Sequence, residues 1–179
     1  MQNEGCVLWL TGLPGSGKTT IAKLVQGHVS SVGMPVEVLD GDEVRKNLSP
    51  ELGFSKQDRE THARRVVYIS KLLSRNGITT VVALISPYRE FRQYARDTIG
   101  KNFLEVWVKA SEELCRKRDP KGLYKKAQEG KVTNLTGPQD PYEPPLNPEL
   151  VVDTENEPAD VSAGRVLELL RTRDITTKP

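Results

Sequence analysis

With 179 residues, 36% of them hydrophobic and 28% charged, the chain is long enough for one domain (1–179) with a real core and too apolar to stay disordered. A formal net charge of +2 gives no reason to propose nucleic acid or a membrane surface as a partner. The apolar N-terminal run is too short for a signal peptide or a membrane span, and Cys6 and Cys115 form no C-x-x-C. The cytoplasm is therefore the expected compartment.

In chain order, Cys6–Thr11 predicts a buried first strand with Cys6 as a small core residue. It runs into Gly12-Leu13-Pro14-Gly15-Ser16-Gly17-Lys18-Thr19, which fits G-x-x-x-x-G-K-[ST] without mismatch, and an amphipathic helix from Lys18 to about Ser31 follows. Strand, loop and helix together are the context the motif requires. The glycines let backbone N–H groups converge on phosphate oxygens at a helix N-terminus, so Gly12 to Thr20 is the expected triphosphate site. Lys18 would reach the β- and γ-phosphates, and the Thr19 hydroxyl would hold Mg²⁺.

Gly33 ends that helix, and Val36–Leu39 predicts a second strand leading into Asp40-Gly41-Asp42. A short helix near Glu43–Leu48 and a loop through Leu52-Gly53-Phe54 precede a long helix from Ser55 or Lys56 to about Arg75, stopped by Asn76-Gly77. The β-branched run Thr79–Ile85 predicts a strand buried on both faces. After Pro87 come a helix over about Glu90–Ile99, a strand over Phe103–Val108 and a helix near Glu112–Arg118 carrying Cys115. From Asp119 to Pro148 the chain is polar and proline-rich and reads as a mobile lid with one short helix. Leu150–Val152 is the fifth expected strand, and Pro158 opens the last helix. This alternation implies an α/β fold of the P-loop nucleoside triphosphate hydrolase type. Its five-stranded parallel sheet has helices on both faces, and the nucleotide lies at the carboxyl ends of the strands.

The third strand ends in Ala83-Leu84-Ile85-Ser86, with no Asp for the usual metal-holding carboxylate, whereas the second supplies Asp40 and Asp42. Phosphoryl transfer needs a carboxylate near the acceptor hydroxyl and cations on the developing charge. Asp42 suits the first role, and Asp40 a supporting one, through Mg²⁺-bound water. Asp-Gly-Asp alone would read as a turn and helix cap; beside a complete phosphate loop the catalytic reading is favoured. Arg45, Arg59, Arg64 and Arg65 are expected around Phe54, a pocket for a flat anionic acceptor. The alternatives are a solvated face for Arg64 and Arg65 and a core position for Phe54. From composition and spacing the reading stops at a kinase for a small anionic acceptor.

Longer stretches carry a resemblance: Trp9-Leu10-Thr11-Gly12-Leu13, Leu39-Asp40-Gly41-Asp42, Leu52-Gly53-Phe54-Ser55, Asp58-Arg59-Glu60, Ile85-Ser86-Pro87-Tyr88-Arg89, Arg118-Asp119-Pro120-Lys121-Gly122-Leu123-Tyr124 and Asp140-Pro141-Tyr142-Glu143-Pro144-Pro145. In these, over nearly the whole chain, it resembles the adenylylsulfate kinases, which move the γ-phosphate of ATP onto the 3′-hydroxyl of adenylylsulfate. The resemblance implies Asp42 as base, Arg45 and Arg59 on the phosphosulfate, and Phe54 stacked on the acceptor adenine. It also implies Ile85 and Ser86 lining the acceptor site and Lys121 approaching from the lid. A phosphoserine at Ser86 is disfavoured, because its chain neighbours supply no base.

Two substrate-side positions depart from the family pattern: His62 stands where Asn is usual, and Leu135 replaces the Phe that precedes Thr-Gly in the lid. Leu135 is then expected to give the adenine only an apolar contact. A protonated His62 beside an anionic acceptor is expected to tighten acceptor binding toward about pH 6. The phosphate loop's Leu13-Pro14-Gly15-Ser16 varies the more frequent Leu-Ser-Gly-Ala without touching Lys18 or Thr19. The resemblance allows a homodimer and a functional coupling to a sulfate adenylyltransferase, with a stand-alone chain favoured over a fusion. A gluconate or shikimate kinase is the competing enzyme reading, and an inactive nucleotide-binding regulator the competing class; the regulator should have lost Lys18, Asp42 or Arg59.

Overall fold

Strand-prone runs and amphipathic helices alternate along the sequence, and the computed structural model, which describes residues 4–173, folds them into one parallel sheet with helices on both faces. The elements are β1 (Val7–Thr11), α1 (Lys18–Ser31), β2 (Val36–Asp40), α2 (Gly41–Leu48), α3 (Lys56–Arg75), β3 (Thr79–Ala83) and α4 (Arg89–Ile99). A short 3-10 turn then leads to β4 (Phe103–Lys109), α5 (Glu112–Arg118), α6 (Leu123–Gln128), β5 (Leu150–Asp153) and α7 (Ala159–Arg171). The strand order is β2-β3-β1-β4-β5, every pair parallel. The order reverses direction at β1, so the crevice beyond the carboxyl end of β1 is where such a sheet takes its ligand.

Side chains of a strand point alternately to the two faces, and β1 uses that period. Leu8 and Leu10 pack with Ile21, Val25, Val166 and Leu170, the α1 and α7 layer. Val7 and Trp9 pack with Val66, Val67 and Phe103, on the face covered by α3 and α4. All five β1 residues are buried, which fixes the strand's register and the starting point of the loop after it. No described helix is long and apolar enough to cross a membrane.

Two expected boundaries move by two residues, and the lid is not the mobile loop expected. The third strand stops at Ala83 and not Ile85, because Leu84 N–H still bonds Leu10 O while the carbonyl of Ile85 turns to the Thr11 hydroxyl. Ser86 then takes a left-handed φ of 40°, and the chain leaves the sheet into the crevice. The short helix begins at Gly41 because the Asp40 carboxylate accepts the Asp42 N–H and caps it. The lid is packed: Tyr124 and Leu135 form a small core with Cys115, and Tyr124 donates its hydroxyl to Pro14 O at 3.0 Å.

Two glycines test this packing in opposite directions. A Cβ on Gly5, just before β1, would lie 2.3 Å from Ile78 O, a backbone atom that cannot swing away. Gly27 is exposed within α1, and its Cβ would meet nothing within 4 Å. Thermal or urea unfolding should show Gly5→Ala destabilised by about 1–3 kcal/mol and Gly27→Ala stabilised by about 0.5–1 kcal/mol.

Candidate active site

The loop between β1 and α1 sits at the crevice. Ser16 N–H closes a turn onto Leu13 O, and Gly15 and Gly17 hold φ of 81° and 101°, a region that strains any side chain. Gly15 is also a close approach, since a Cβ there would stand 2.9 Å from Cys115 O. Lys18, 8% exposed, folds its ammonium back onto the loop and donates to Gly12 O at 2.8 Å and Leu13 O at 2.7 Å. Burial lowers its pKa to about 8.

The acidic pair lies across the crevice. Thr19 donates its hydroxyl to Asp40 Oδ2 at 2.7 Å, joining the phosphate loop to the end of β2. Burial pushes the Asp40 carboxyl up, but the bonds from Thr19 and from the Asp42 and Glu43 backbone, with Lys121 nearby, outweigh it and hold the pKa below the usual value. Asp42, one turn further, stands exposed and pairs with Lys121 of the lid. Hydroxyl and carboxylate are hard oxygen donors, the chemistry Mg²⁺ selects, so Thr19 and Asp40 fit that ion. Among the described residues no group of three or more His, Cys, Asp or Glu could hold a metal, which leaves phosphate and water oxygens to complete the shell.

Beyond Asp42 the cleft, about 670 Å³ in all, opens onto an aromatic face. Phe54 is 53% exposed, so the core alternative fails. The Arg45 and Arg59 guanidiniums stand 4.8 and 5.8 Å from its ring centroid. Arg45 is steadied by Gly53 O at 2.7 Å and Arg59 by Phe54 O at 2.9 Å. Arg59 also donates to the Thr136 hydroxyl at 3.1 Å, so it ties α3 to the lid. Arg64 and Arg65 do not join them. Arg64 is turned away by an ion pair with Glu60 on its own helix, and Arg65 is held by Leu48 O and Glu51.

Ile85 and Ser86 line the cleft. Ser86 is buried, its hydroxyl accepting from Trp9 Nε1–H at 2.9 Å and donating to Leu84 O at 3.3 Å. Neither partner is a base. Leu135 is absent from the cleft lining: it packs under the lid with Cys115 and Tyr124, because a short apolar side chain in that loop gains more from burial than from reaching out.

His62 corrects its expectation in a different way. It borders the cleft but is 1% exposed, with Nδ1 3.0 Å from Ser49 Oγ. Arg65 donates to that same oxygen at 3.2 Å, so the Ser49 hydroxyl links the neutral ring to the Arg65 guanidinium. Nε2 is buried without a partner among the described residues. Burial first, then the Arg45 and Arg65 charges, lowers its pKa to about 4, so it is neutral throughout the physiological range.

The sequence reading missed the cleft's other end. Arg118 and Thr154 line it with Glu157 and Pro158. Arg118 donates to the Thr154 hydroxyl at 3.1 Å, and that hydroxyl donates to Ser16 O at 2.8 Å, bracing the phosphate loop from behind. Arg118 opens the Arg-Asp-Pro-Lys-Gly-Leu-Tyr stretch, but nothing in the sequence places Thr154, distant in the chain, beside Ser16.

A glycine loop at the carboxyl ends of parallel strands, a buried lysine, and carboxylates facing a cationic second pocket define a P-loop kinase. The profile of the adenylylsulphate kinase family matches residues 4–153. An adenylyl-sulfate kinase from Rippkaea orientalis is 48% identical over 179 residues, covering 100% of this chain and 98% of that protein. The solved APS (adenylylsulfate) kinase of Mycobacterium tuberculosis, in complex with AMPPNP and APS, is 40% identical. Its TM-score is 0.90 with 94% of this chain and 98% of that one covered. A hexameric APS kinase from Thiobacillus denitrificans matches at TM-score 0.73 and 29% identity, over 99% of this chain and 30% of that chain. This chain belongs to the adenylylsulfate kinase family and is an ATP-dependent kinase.

One pH series checks both perturbed groups. Unliganded Lys18, with its pKa of about 8, loses the proton that phosphate binding needs as pH rises past that value, so ATP KM should climb above about pH 8. Neutral His62 should leave acceptor KM without an inflection of its own between about pH 5.5 and 7.5, and His62→Asn should follow the same curve. A wild-type acceptor KM that falls toward about pH 6 only while His62 is present would reinstate the protonated reading.

Proposed function

We propose that ATP lies with its phosphates on Gly12 to Thr20, that adenylylsulfate lies beyond Asp42 against Phe54, and that the γ-phosphate passes directly between them. The observation that carries this reading is the second pocket, where an exposed aromatic face is flanked by two guanidiniums within 6 Å. An aromatic face suits a purine, and Arg45 and Arg59 suit a phosphosulfate. A gluconate or shikimate acceptor has no use for the stacking face.

In this reading the Asp42 carboxylate takes the 3′-hydroxyl proton as the oxygen attacks the γ-phosphorus and the bond to the β-phosphate oxygen breaks, releasing ADP. Lys18 turns from the loop carbonyls to the phosphates, and Lys121, which the lid holds beside Asp42, brings a second cation to the transfer line. Thr19 and Asp40 would hold Mg²⁺, which would supply neutralisation of phosphate charge and orientation of the triphosphate. Ile85 and Ser86 shape the acceptor wall, and His62 borders it as a neutral ring. Ser86 stays unphosphorylated, since its hydroxyl is engaged by Trp9 and Leu84 O. A homodimer, coupling to a sulfate adenylyltransferase that supplies the acceptor, and a cytoplasmic setting belong to the same proposal.

ADP release with ATP and Mg²⁺ should be low without acceptor, rise at least about a hundredfold with adenylylsulfate, and stay at the basal rate with gluconate or shikimate. Equal stimulation by either of these hydroxy acids would overturn the acceptor assignment.

A further inference from the structure

Arg92, in α4, is a charged side chain 3% exposed, and it touches none of the groups assigned above to ATP. Each of its three guanidinium nitrogens has a defined partner. Nε donates to Glu105 Oε1 at 2.7 Å, Nη1 to Ser86 O at 2.6 Å, and Nη2 to Glu143 O at 2.6 Å. Glu105, on β4, is itself fixed. Its other oxygen accepts from Arg96, and its N–H donates to Glu149 Oε2 at 2.7 Å. The guanidinium is thus referenced to the sheet on one side and holds two loop carbonyls on the other.

Those two carbonyls belong to two segments that pack against each other, the Ser86 turn on the cleft wall and the lid's return segment behind it. Ser86 is the acceptor-wall residue held at φ 40°, a conformation that a non-glycine residue keeps only when its surroundings impose it. Glu143 lies in the lid's return segment, where its N–H bonds Pro87 O at 2.9 Å and its carboxylate accepts Arg89 N–H at 2.8 Å. In the same segment Asp140 accepts the Tyr88 hydroxyl at 2.8 Å and stands 3.9 Å from Arg59. Tyr142 in turn bonds the Thr11 hydroxyl at 3.0 Å, directly before the phosphate loop. A buried ion pair is a weak source of stability, and apolar side chains of similar volume usually replace one without loss. What apolar side chains cannot replace is the planar fork that fixes both carbonyls at once.

We infer that Arg92 is a positioning residue for the acceptor: its guanidinium locks the Ser86 turn to the Glu143 segment, setting the pocket wall and, through Asp140, the placement of Arg59. The inference rests on the acceptor reading above. It predicts a split, because the lock lies on the acceptor side of Asp42 and Lys18 has its own supports.

ADP release as a function of each substrate should show that Arg92→Lys, which keeps the charge but not the fork, raises adenylylsulfate KM at least about tenfold while ATP KM stays within about twofold. Arg92→Met should lose as much or more. Amide exchange, read on wild type and Arg92→Lys without ligands, should be faster in the variant over 85–89 and 140–145, with a smaller change over 12–20, which those segments reach only through Thr11. Equal KM values for both substrates in Arg92→Lys and wild type, or equal exchange over 85–89 and 140–145, would overturn the inference. So would a parallel loss of both substrates in a folded variant. If Arg92→Lys does not fold, Glu105→Gln, which keeps an oxygen for Nε, takes its place with the same split at about threefold; no split there also overturns it. A wild type without adenylylsulfate-dependent ADP release would instead defeat the acceptor assignment, and the exchange experiment would still decide whether Arg92 locks the two segments.

Discussion

A buried ammonium with no ion-pair partner among the described residues is the constraint around which the molecule is built. Lys18 sits almost out of solvent, and only the carbonyls of Gly12 and Leu13, with a longer contact to Ser16, take up its donors. Dipoles offset part of the cost of burying a charge, and burial still lowers the pKa to about 8. A triphosphate supplies the missing charge. The site is therefore made ready for an anion by leaving a cation under-compensated, and the surrounding fold exists to keep it so. The fully buried β1 fixes where the loop starts, Thr154 and Arg118 brace it from behind, and the Thr19–Asp40 bond anchors it in front.

In the proposed transfer, the same Thr19–Asp40 bond joins the two halves of the reaction. Thr19 belongs to the loop and Asp40 to the last residue of β2, and Asp40 caps the helix on which Asp42 and Arg45 stand. A displacement of the phosphate loop is thus felt at the acceptor side within one hydrogen bond and one helical turn. The lid completes the link from above, with Lys121 paired to Asp42 and Arg59 bonded to Thr136. Polar links thus run from the phosphate loop to the acceptor side of the cleft, which suits a transfer in which positioning and electrostatics do most of the catalysis.

Much of this was legible in the sequence, for physical reasons that differ from residue to residue. The phosphate loop is local: its chemistry needs glycines and a lysine at fixed spacing between a strand and a helix, and each of those leaves a mark in the chain. The strand and helix runs are local too, and α1, α3 and α5 begin and end where the periodicity and caps put them. What the chain could not display were contacts set by the sheet. Arg64 and Arg65 have the same chemistry as Arg59, and the rotation of α3 decides that only Arg59 of the three joins Arg45 of α2 beside Phe54. His62 looks like a titrating partner for an anion until its burial beside two guanidiniums is known. Leu135 was expected on the adenine and lies in the lid's own core. The Arg92 lock spans residues 86, 92, 105 and 143, and no spacing rule connects them.

The central claim is that Asp42, placed by the Asp40 cap and facing the acceptor pocket, is the carboxylate that takes the hydroxyl proton. The most direct test is steady-state kinetics of Asp42→Asn beside Asp40→Asn. The amide keeps the size of the carboxylate but cannot accept the proton. Asp42→Asn should therefore lower kcat by about 10²–10⁴ with ATP KM within about threefold, while Asp40→Asn should weaken ATP and Mg²⁺ use together. An Asp42→Asn enzyme with near-normal kcat, and Asp40→Asn carrying the whole loss, would contradict the account.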